Sequence, residues 1–384
     1  MILNTKIKIS FLLPLVIILL LILASSSKFI IIFNVLAYGF FLIYTFKNQG
    51  RVYFTYWIIL LILVYLPFLI YGIYNNPDFH IDFKFHLFSL LFLIIMATIL
   101  GRMPINKVLK ILFIVNIVIF ATYLILTFLP ISRALNPYAR GTAAGGYGYR
   151  IEGPDIISFS LYAILYLYNR RSWDIYLVIM LLTGTLSAFL NGSLQGLIII
   201  VIVYSLVFVK KTKYIFLFPL ILFLLLKIAT FTLLPFANEK YKEKITYLSN
   251  PLEYPTIKHR LMTLDLMLKQ TTDDTYEILF GSGVGVKSTY FEKNEVTPSL
   301  SRERTFLEID NGFFYVYHRA GLFGLALFLL FHLYILFFAN VSFNLRIALF
   351  TVFLVTNLLS IHYFTTAAYS LLILIPFYKI REYE

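Results

Sequence analysis

The sequence predicts an all-α fold, namely a polytopic membrane protein with about twelve transmembrane helices and one large outer loop. Two observations lead to this prediction. Of the 384 residues, 60% are hydrophobic and 13% are charged, and the mean hydropathy is +0.85, whereas a soluble domain is about half apolar and about one quarter charged. The apolar residues also form runs close to the roughly 20 residues that cross a bilayer. Helices satisfy their own backbone groups in lipid, so they are the expected element.

Long apolar runs give the predicted spans. In chain order these runs are 9–24, 29–46, 56–74, 85–101, 108–129, 156–168, 174–190, 194–209, 214–235, 321–339, 344–360 and 364–379. Lys6 and Lys8 before the first run also fit a signal peptide cleaved near Ala24, but the many later spans favour an uncleaved first helix. The whole chain, 1–384, is therefore predicted to be one integral membrane domain.

The net charge of +13 reflects topology rather than nucleic-acid binding. Basic residues punctuate the apolar runs and never form the dense stripe that nucleic acid requires. Alternate connections carry fifteen of them, namely Lys6, Lys8, Lys47, Arg51, Arg102, Lys107, Lys110, Arg170, Arg171, Lys210, Lys211, Lys213, Arg346, Lys379 and Arg381. The short connections on the other side carry five, namely Lys28, Lys84, Arg133, Arg140 and Arg150. Cytoplasmic loops hold the basic excess, so both termini are predicted to be cytoplasmic.

Two outer loops are the predicted places for chemistry. Residues 130–155 are rich in glycine and arginine, and residues 236–310 form a loop with ten basic and twelve acidic residues. Loops of such length are usually functional or disordered. Within the large loop, 257–268 has the spacing of an amphipathic helix, and 292–304 is polar and expected to be mobile. The chain has no cysteine, which excludes disulfides and thiolate chemistry.

Glycine-rich segments of both loops are candidate binding elements. Arg140 and Arg150 flank a glycine-rich turn with Tyr147 and Tyr149, and arginine binds phosphate oxygens in bidentate fashion. Contact with lipid headgroups explains this loop equally well. In the large loop, residues 281–285 read Gly-Ser-Gly-Val-Gly. This run fits neither a dinucleotide fingerprint nor a P-loop, and a tight turn is expected there.

Charged residues near the last spans have both structural and functional interpretations. Asp310 precedes an aromatic segment, 313–317, that is expected to lie along the membrane interface. It would serve either as the helix N-cap or as a general base. Glu308 and Asp310 make a weak case for a divalent cation, and no metal site is indicated. Lys227 lies inside the ninth predicted span, where it has a functional role or extends to the outer interface.

Three loose motifs occur in a fixed order along the chain. The first runs from Arg150 to Gly153 and Pro154, just before a span. The second runs from Arg260 to the turn at 281–283. The third comprises Asp310, Asn311 and the glycines of 321–324. In this order and topology, the chain resembles the O-antigen polymerase and O-antigen ligase superfamily of bacterial envelope glycosyltransferases.

The resemblance implies a GT-C-like membrane fold in the cytoplasmic (inner) membrane, with residues 236–310 in the periplasm. Ligases of the superfamily usually have histidine where this chain has Asp310, so it looks more like a polymerase. Such an enzyme joins undecaprenyl-diphosphate-linked oligosaccharide repeat units on the outer face of the membrane. The partners implied are that lipid-linked oligosaccharide, membrane lipid and a protein that regulates chain length. No nucleic acid, cofactor or metal is implied.

Residue roles follow from this chemistry. Guanidiniums can stabilise the charge that develops on a departing diphosphate, which suits Arg150 and Arg260 as catalytic residues. Asp310 is the predicted base, with His259 and His318 as alternatives. The expected substrate-binding residues are Arg140, His259, Arg319, Tyr147, Tyr149, Tyr315 and His318. A ligase of the same superfamily and a flippase or other transporter for lipid-linked oligosaccharide are the competing hypotheses.

Overall fold

The computed structural model describes a set of separate segments of the chain. They are residues 9–24, 30–47, 56–77, 79, 91, 94–99, 103–128, 140–141, 149–150, 155–168, 174–190, 194–208, 224, 261, 265, 274–292, 302–306, 311–339 and 341–359.

The described segments include ten α-helices with defined bounds and two short antiparallel hairpins. The helices are α1 Ile9–Ala24, α2 Ile30–Lys47, α3 Tyr56–Asn75, α4 Ile105–Phe128, α5 Asp155–Tyr168, α6 Ile175–Leu190, α7 Leu194–Phe208, α8 Thr275–Phe280, α9 Gly312–Phe338 and α10 Phe343–Leu359. The strands are β1 Arg140–Gly141 paired with β2 Tyr149–Arg150, and β3 Ser288–Glu292 paired with β4 Arg302–Phe306. The predicted helical fold class is confirmed, and the hairpins are additions to it.

Eight predicted apolar runs coincide with helices to within three residues at each end, namely those matching α1 to α7 and α10. Of the run 85–101, residues 94–99 are helical. The run 364–379 lies outside the described residues, as does 214–235 apart from residue 224. The run predicted at 321–339 matches the second part of α9, because α9 begins at Gly312 but is broken at Gly321, and the aromatic segment 313–317 lies in its first part.

One helix of the described part of the chain, α9, is long and apolar enough to cross a membrane by its length and composition. Its 27 residues include a break at Gly321, which divides it into two helical parts. Shorter apolar helices occur within α1, α2, α5, α6, α7 and α10. The twelve-span arrangement itself stays a prediction.

The core of the described bundle is mainly apolar and also contains several buried polar side chains. Helix α5 packs against α4, α6 and α7, and α10 packs against α7 and α9. Phe159, Ile111 and Leu112 are fully buried there. The hydroxyl of Tyr204 donates to the backbone carbonyl of Phe159 at 3.1 Å, so a buried polar group is satisfied inside this core.

Candidate functional site

A glycine turn follows the short helix α8 and is buried against two other helices. Gly281, Gly283 and Gly285 have φ values of 77°, 82° and 83°, in the left-handed region that glycine enters without a steric penalty. The side chain of Asp274 caps α8 by accepting from the N–H of Tyr276 at 2.8 Å. Residues 281–285 therefore form a tight turn, and that prediction is confirmed.

The backbone N–H groups of this turn bond to other backbone groups. Ser282 donates to the carbonyl of His318 at 2.9 Å, and Gly283 donates to the carbonyl of Arg319 at 3.1 Å. Gly281 and Val284 also donate to carbonyls, those of Glu277 and Phe68. Because these donors are occupied, the turn does not present the array of free N–H groups with which glycine loops bind phosphate.

Helix α9 is interrupted where the turn meets it. Gly321 has φ 62° and ψ −166°, which is not helical. In an uninterrupted helix the carbonyls of His318 and Arg319 would accept from residues four positions later, but here they accept from the turn. A Cβ atom at Gly321 would overlap the backbone of Leu279 and Phe280. The two backbones are thus in direct contact, and glycine is required at the break.

The end of α3 closes the third side of the turn. The side-chain amide of Asn76 donates to the carbonyls of Ser282 at 2.9 Å and Val284 at 3.1 Å. A Cβ atom at Gly72 would collide with the backbone of Val284. Helix α3, the glycine turn and α9 therefore meet at backbone contact distance. We call this arrangement, formed by residues 68–76, 281–285 and 318–321, the three-segment junction.

Three predicted site residues lie together in the first part of α9, just before its break. Arg319 and Tyr315 are each 3% exposed, and His318 is 6% exposed. The guanidinium carbon of Arg319 lies 3.7 Å above the ring centroid of Tyr315, which is a cation–π geometry. Buried arginines are rare in proteins, so this pair next to the three-segment junction is the strongest candidate site in the described part of the chain.

The N-terminus of α9 is anchored to the end of α10. The side-chain oxygen of Asn311 accepts from the N–H groups of Phe313 at 3.0 Å and Phe314 at 3.2 Å. Its amide donates to the carbonyl of Leu358 at 3.2 Å. The N-cap is therefore Asn311, and the interpretation of Asp310 as the N-cap is wrong. Both residue types are good caps, and the position at which the helix begins decides between them.

Replacing Asn311 with alanine is expected to lower the free energy of unfolding by about 1 kcal/mol, because the cap is lost. Asn311→Ser is the matched control, since both substitutions remove the bond to the Leu358 carbonyl but a serine hydroxyl can still cap the helix. The measurement is the midpoint of thermal unfolding of the purified proteins in one detergent. Equal destabilisation by both substitutions would show that the cap is not the source of the effect.

The predicted pair of arginines in residues 130–155 lies on a hairpin. Antiparallel pairing of β1 and β2 places Arg140 opposite Arg150 and Gly141 opposite Tyr149. The expectation of a mobile polar segment at 292–304 is wrong at both ends, because Glu292 pairs with Arg302 in the second hairpin. Tyr147, His259, Arg260 and Asp310 lie outside the described residues, as does Lys227.

Sequence reasoning missed the contribution of α3 to this junction. Gly72 and Asn76 are four residues apart and therefore share a face at the end of α3. The sequence signal for this contact was a small residue and an amide at that spacing, next to an apolar run.

The described residues contain no group of three His, Asp or Glu side chains placed to hold a metal ion.

Comparisons with known proteins do not add a family. No protein-family model, curated protein or solved structure matches the chain. The resemblance to envelope glycosyltransferases therefore stays a prediction from the order of the motifs.

Proposed function

We propose that the chain is a polysaccharide polymerase for O-antigen or capsule, joining undecaprenyl-diphosphate-linked repeat units on the outer face of the cytoplasmic membrane. The observation that carries the proposal is the buried Arg319, stacked on Tyr315 where the glycine turn of the large loop contacts a long apolar helix. A fixed guanidinium at that position is suited to a diphosphate attached to a membrane lipid.

The proposed reaction forms one glycosidic bond and breaks one bond to phosphate. A hydroxyl oxygen of the acceptor unit attacks the anomeric carbon of the growing chain. The bond from that carbon to the diphosphate oxygen breaks, and its electron pair leaves with undecaprenyl diphosphate. Arg319, with Arg150 and Arg260, stabilises the charge on this leaving group. Asp310, His259 or His318 takes the proton of the hydroxyl.

The hairpin of β1 and β2 is proposed as a second contact with the anion. Arg140 and Arg150 stand at paired positions of its two strands, and guanidiniums are suited to the oxygens of a diphosphate. Tyr147 and Tyr149 would supply ring faces for sugars. Contact with anionic lipid headgroups is the alternative for this loop.

A location within the membrane is supported by the surface of α9. Leu322, Phe323, Leu330, Phe337 and Phe338 are all largely exposed on this helix. Contiguous exposed apolar surface of this kind marks a membrane or protein contact. Lipid around α9 accounts for it in the proposed multi-pass arrangement.

Two long-range hydrogen bonds agree with the proposed sidedness. Asn76 at the end of α3 bonds to the large loop, and both segments are proposed to be on the outer side. Asn344 at the start of α10 donates to the carbonyl of Leu206 at the end of α7, and both of these ends are proposed to be cytoplasmic. The same arrangement leaves both chain termini in the cytoplasm.

Deletion of the gene, followed by gel analysis of surface polysaccharide, tests this function against its rivals. A polymerase mutant is expected to show lipid core that carries a single repeat unit, with the long ladder absent. Complete loss of the unit would favour the ligase or the flippase. An unchanged ladder would contradict every function considered, and complementation with the intact gene is the control.

Substitutions in the remaining proposed residues refine this test. Arg150→Ala and Arg260→Ala are expected to abolish long chains while the amount of protein in the membrane stays the same. Arg260→Lys should also fail, because an ammonium cannot make the bidentate contact of a guanidinium. Wild-type chain lengths with Asp310→Asn would remove Asp310 as the base.

A further inference from the structure

Asn76 joins α3 to the glycine turn through its side chain. Its amide nitrogen carries two donor hydrogens and lies 2.9 Å from the Ser282 carbonyl and 3.1 Å from the Val284 carbonyl. The backbone N–H of Asn76 donates to the carbonyl of Gly72 at 2.9 Å, which holds Asn76 against the end of the helix. One side chain thus fixes two carbonyls of a turn more than 200 residues away in sequence.

Backbone hydrogen bonds connect the turn to the candidate site. Ser282 accepts from Asn76 through its carbonyl and donates to the carbonyl of His318 through its N–H. The next residue, Gly283, donates to the carbonyl of Arg319. The position of the Arg319 backbone is therefore linked to Asn76 through two consecutive residues of the turn.

Close packing leaves this linkage little freedom. A Cβ atom at Gly283 would lie 2.9 Å from the backbone nitrogen of Gly72, and one at Gly281 would overlap the backbone of Arg319. Contacts between backbones cannot relax by a change of rotamer, as contacts between flexible side chains can. A displacement of the turn therefore displaces α9 at Arg319.

We propose that Asn76 is a positioning residue that, through the glycine turn, holds Arg319 and His318 in place for the diphosphate of the lipid-linked substrate. The inference rests on the proposed function for its consequence in catalysis. Its structural part, the locking of the turn by the amide of Asn76, is independent of that function. Groups that stabilise a transition state must be held to about 0.5 Å, so the loss of this lock is expected to reduce turnover.

The series Asn76, Asn76→Ala and Asn76→Asp separates hydrogen-bond donation from shape. Aspartate has nearly the same shape as asparagine but places a carboxylate against two carbonyl oxygens. We expect Asn76→Asp to reduce the kcat/KM of polymerisation by about 10²-fold, as a misplacement of about 1 Å does, and Asn76→Ala to reduce it less. A role in filling space would instead leave Asn76→Asp close to wild type and make Asn76→Ala the more defective variant.

The rate at which a thiol in the turn is labelled shows whether the Asn76 amide holds the turn in place. This measurement needs no enzymatic activity. The chain has no cysteine, so Ser282→Cys introduces a single thiol, at a position that is 8% exposed. In purified protein in detergent, a maleimide is expected to label this thiol slowly, and several-fold faster when Asn76→Asp is also present. Lys287→Cys is the matched control at an exposed position, and its labelling should not change with Asn76→Asp.

The two assays distinguish the failure of the inference from that of the proposed function. One outcome is that Asn76→Asp leaves labelling slow and polymerisation normal, while Arg319→Ala is defective. Asn76 would then not be a positioning residue, but the proposed polymerase function would stand. The opposite outcome is that Asn76→Asp speeds labelling, but neither the wild-type protein nor any variant makes polymer. The Asn76 amide would then hold the turn in place as inferred, and the proposed function would be wrong.

Discussion

Gly321→Ala is expected to unfold the three-segment junction and to abolish long polysaccharide chains. Alanine at φ 62° and ψ −166° is strained by about 1–3 kcal/mol, because this region is essentially restricted to glycine. Its Cβ atom would also overlap the backbone of Leu279 and Phe280 in α8. To relieve that overlap, α8 and the glycine turn must move away from α9, which breaks the hydrogen bonds from Ser282 and Gly283. We expect a total loss of about 3 kcal/mol or more, within the range seen for the most damaging backbone substitutions.

Thermal unfolding in one detergent at a fixed scan rate measures this effect, because membrane proteins often unfold irreversibly. The matched control is Gly39→Ala in α2, where a Cβ atom would meet nothing within 4 Å. Alanine is the better helix former of the two, so this control should unfold at the wild-type temperature or slightly above it. A wild-type midpoint for Gly321→Ala would contradict the description of the break in α9.

Arg319→Ala is expected to eliminate the polymer ladder while the protein remains folded in the membrane. Loss of one preorganised group that stabilises transition-state charge typically reduces turnover by about 10²–10³-fold. Arg319→Lys should not restore activity, since lysine lacks the planar fork that binds phosphate and stacks on an aromatic ring. The expected result for both variants is lipid core that carries a single repeat unit.

Arg346→Lys is the matched control for this substitution. Arg346 lies beyond the opposite end of α9, where its guanidinium donates to the carbonyls of Phe337 at 2.6 Å and Val341 at 3.1 Å. Lysine can still donate to carbonyls there, so the ladder should be normal. A second readout is stabilisation by added undecaprenyl diphosphate, which should raise the unfolding temperature of wild type but not that of Arg319→Ala. Equal stabilisation of both proteins would remove Arg319 from the diphosphate site.

The helices of this chain could largely be predicted because apolar runs determine them locally. The run predicted at 9–24 is helix α1 Ile9–Ala24, and the run at 194–209 ends one residue beyond α7. The span boundary predicted at 321 coincides with the break in α9. The positive φ of Gly321 could not be predicted from the sequence, because it depends on contact with α8, which is distant in sequence.

The candidate site was predicted in part for the same reason. Tyr315, His318 and Arg319 stand out in the sequence as polar or aromatic residues that lead into a span, and the structure brings them together. Asn76 does not stand out, because its partners in the turn are more than 200 residues away. Such long-range backbone contacts leave no periodic pattern in the chain. The pairing of Arg140 with Arg150 was missed because two-residue strands are too short to show alternation.

Polymerisation by the purified protein is the most direct test of the central claim. The protein would be reconstituted into liposomes with undecaprenyl-diphosphate-linked repeat units as both donor and acceptor. The proposed function predicts a ladder of lipid-linked oligosaccharides that differ by one unit, with one undecaprenyl diphosphate released for each new linkage. Arg319→Ala liposomes should yield neither product. If wild-type protein leaves the repeat units unjoined, or moves them across the bilayer without joining them, the chain is not the polymerase.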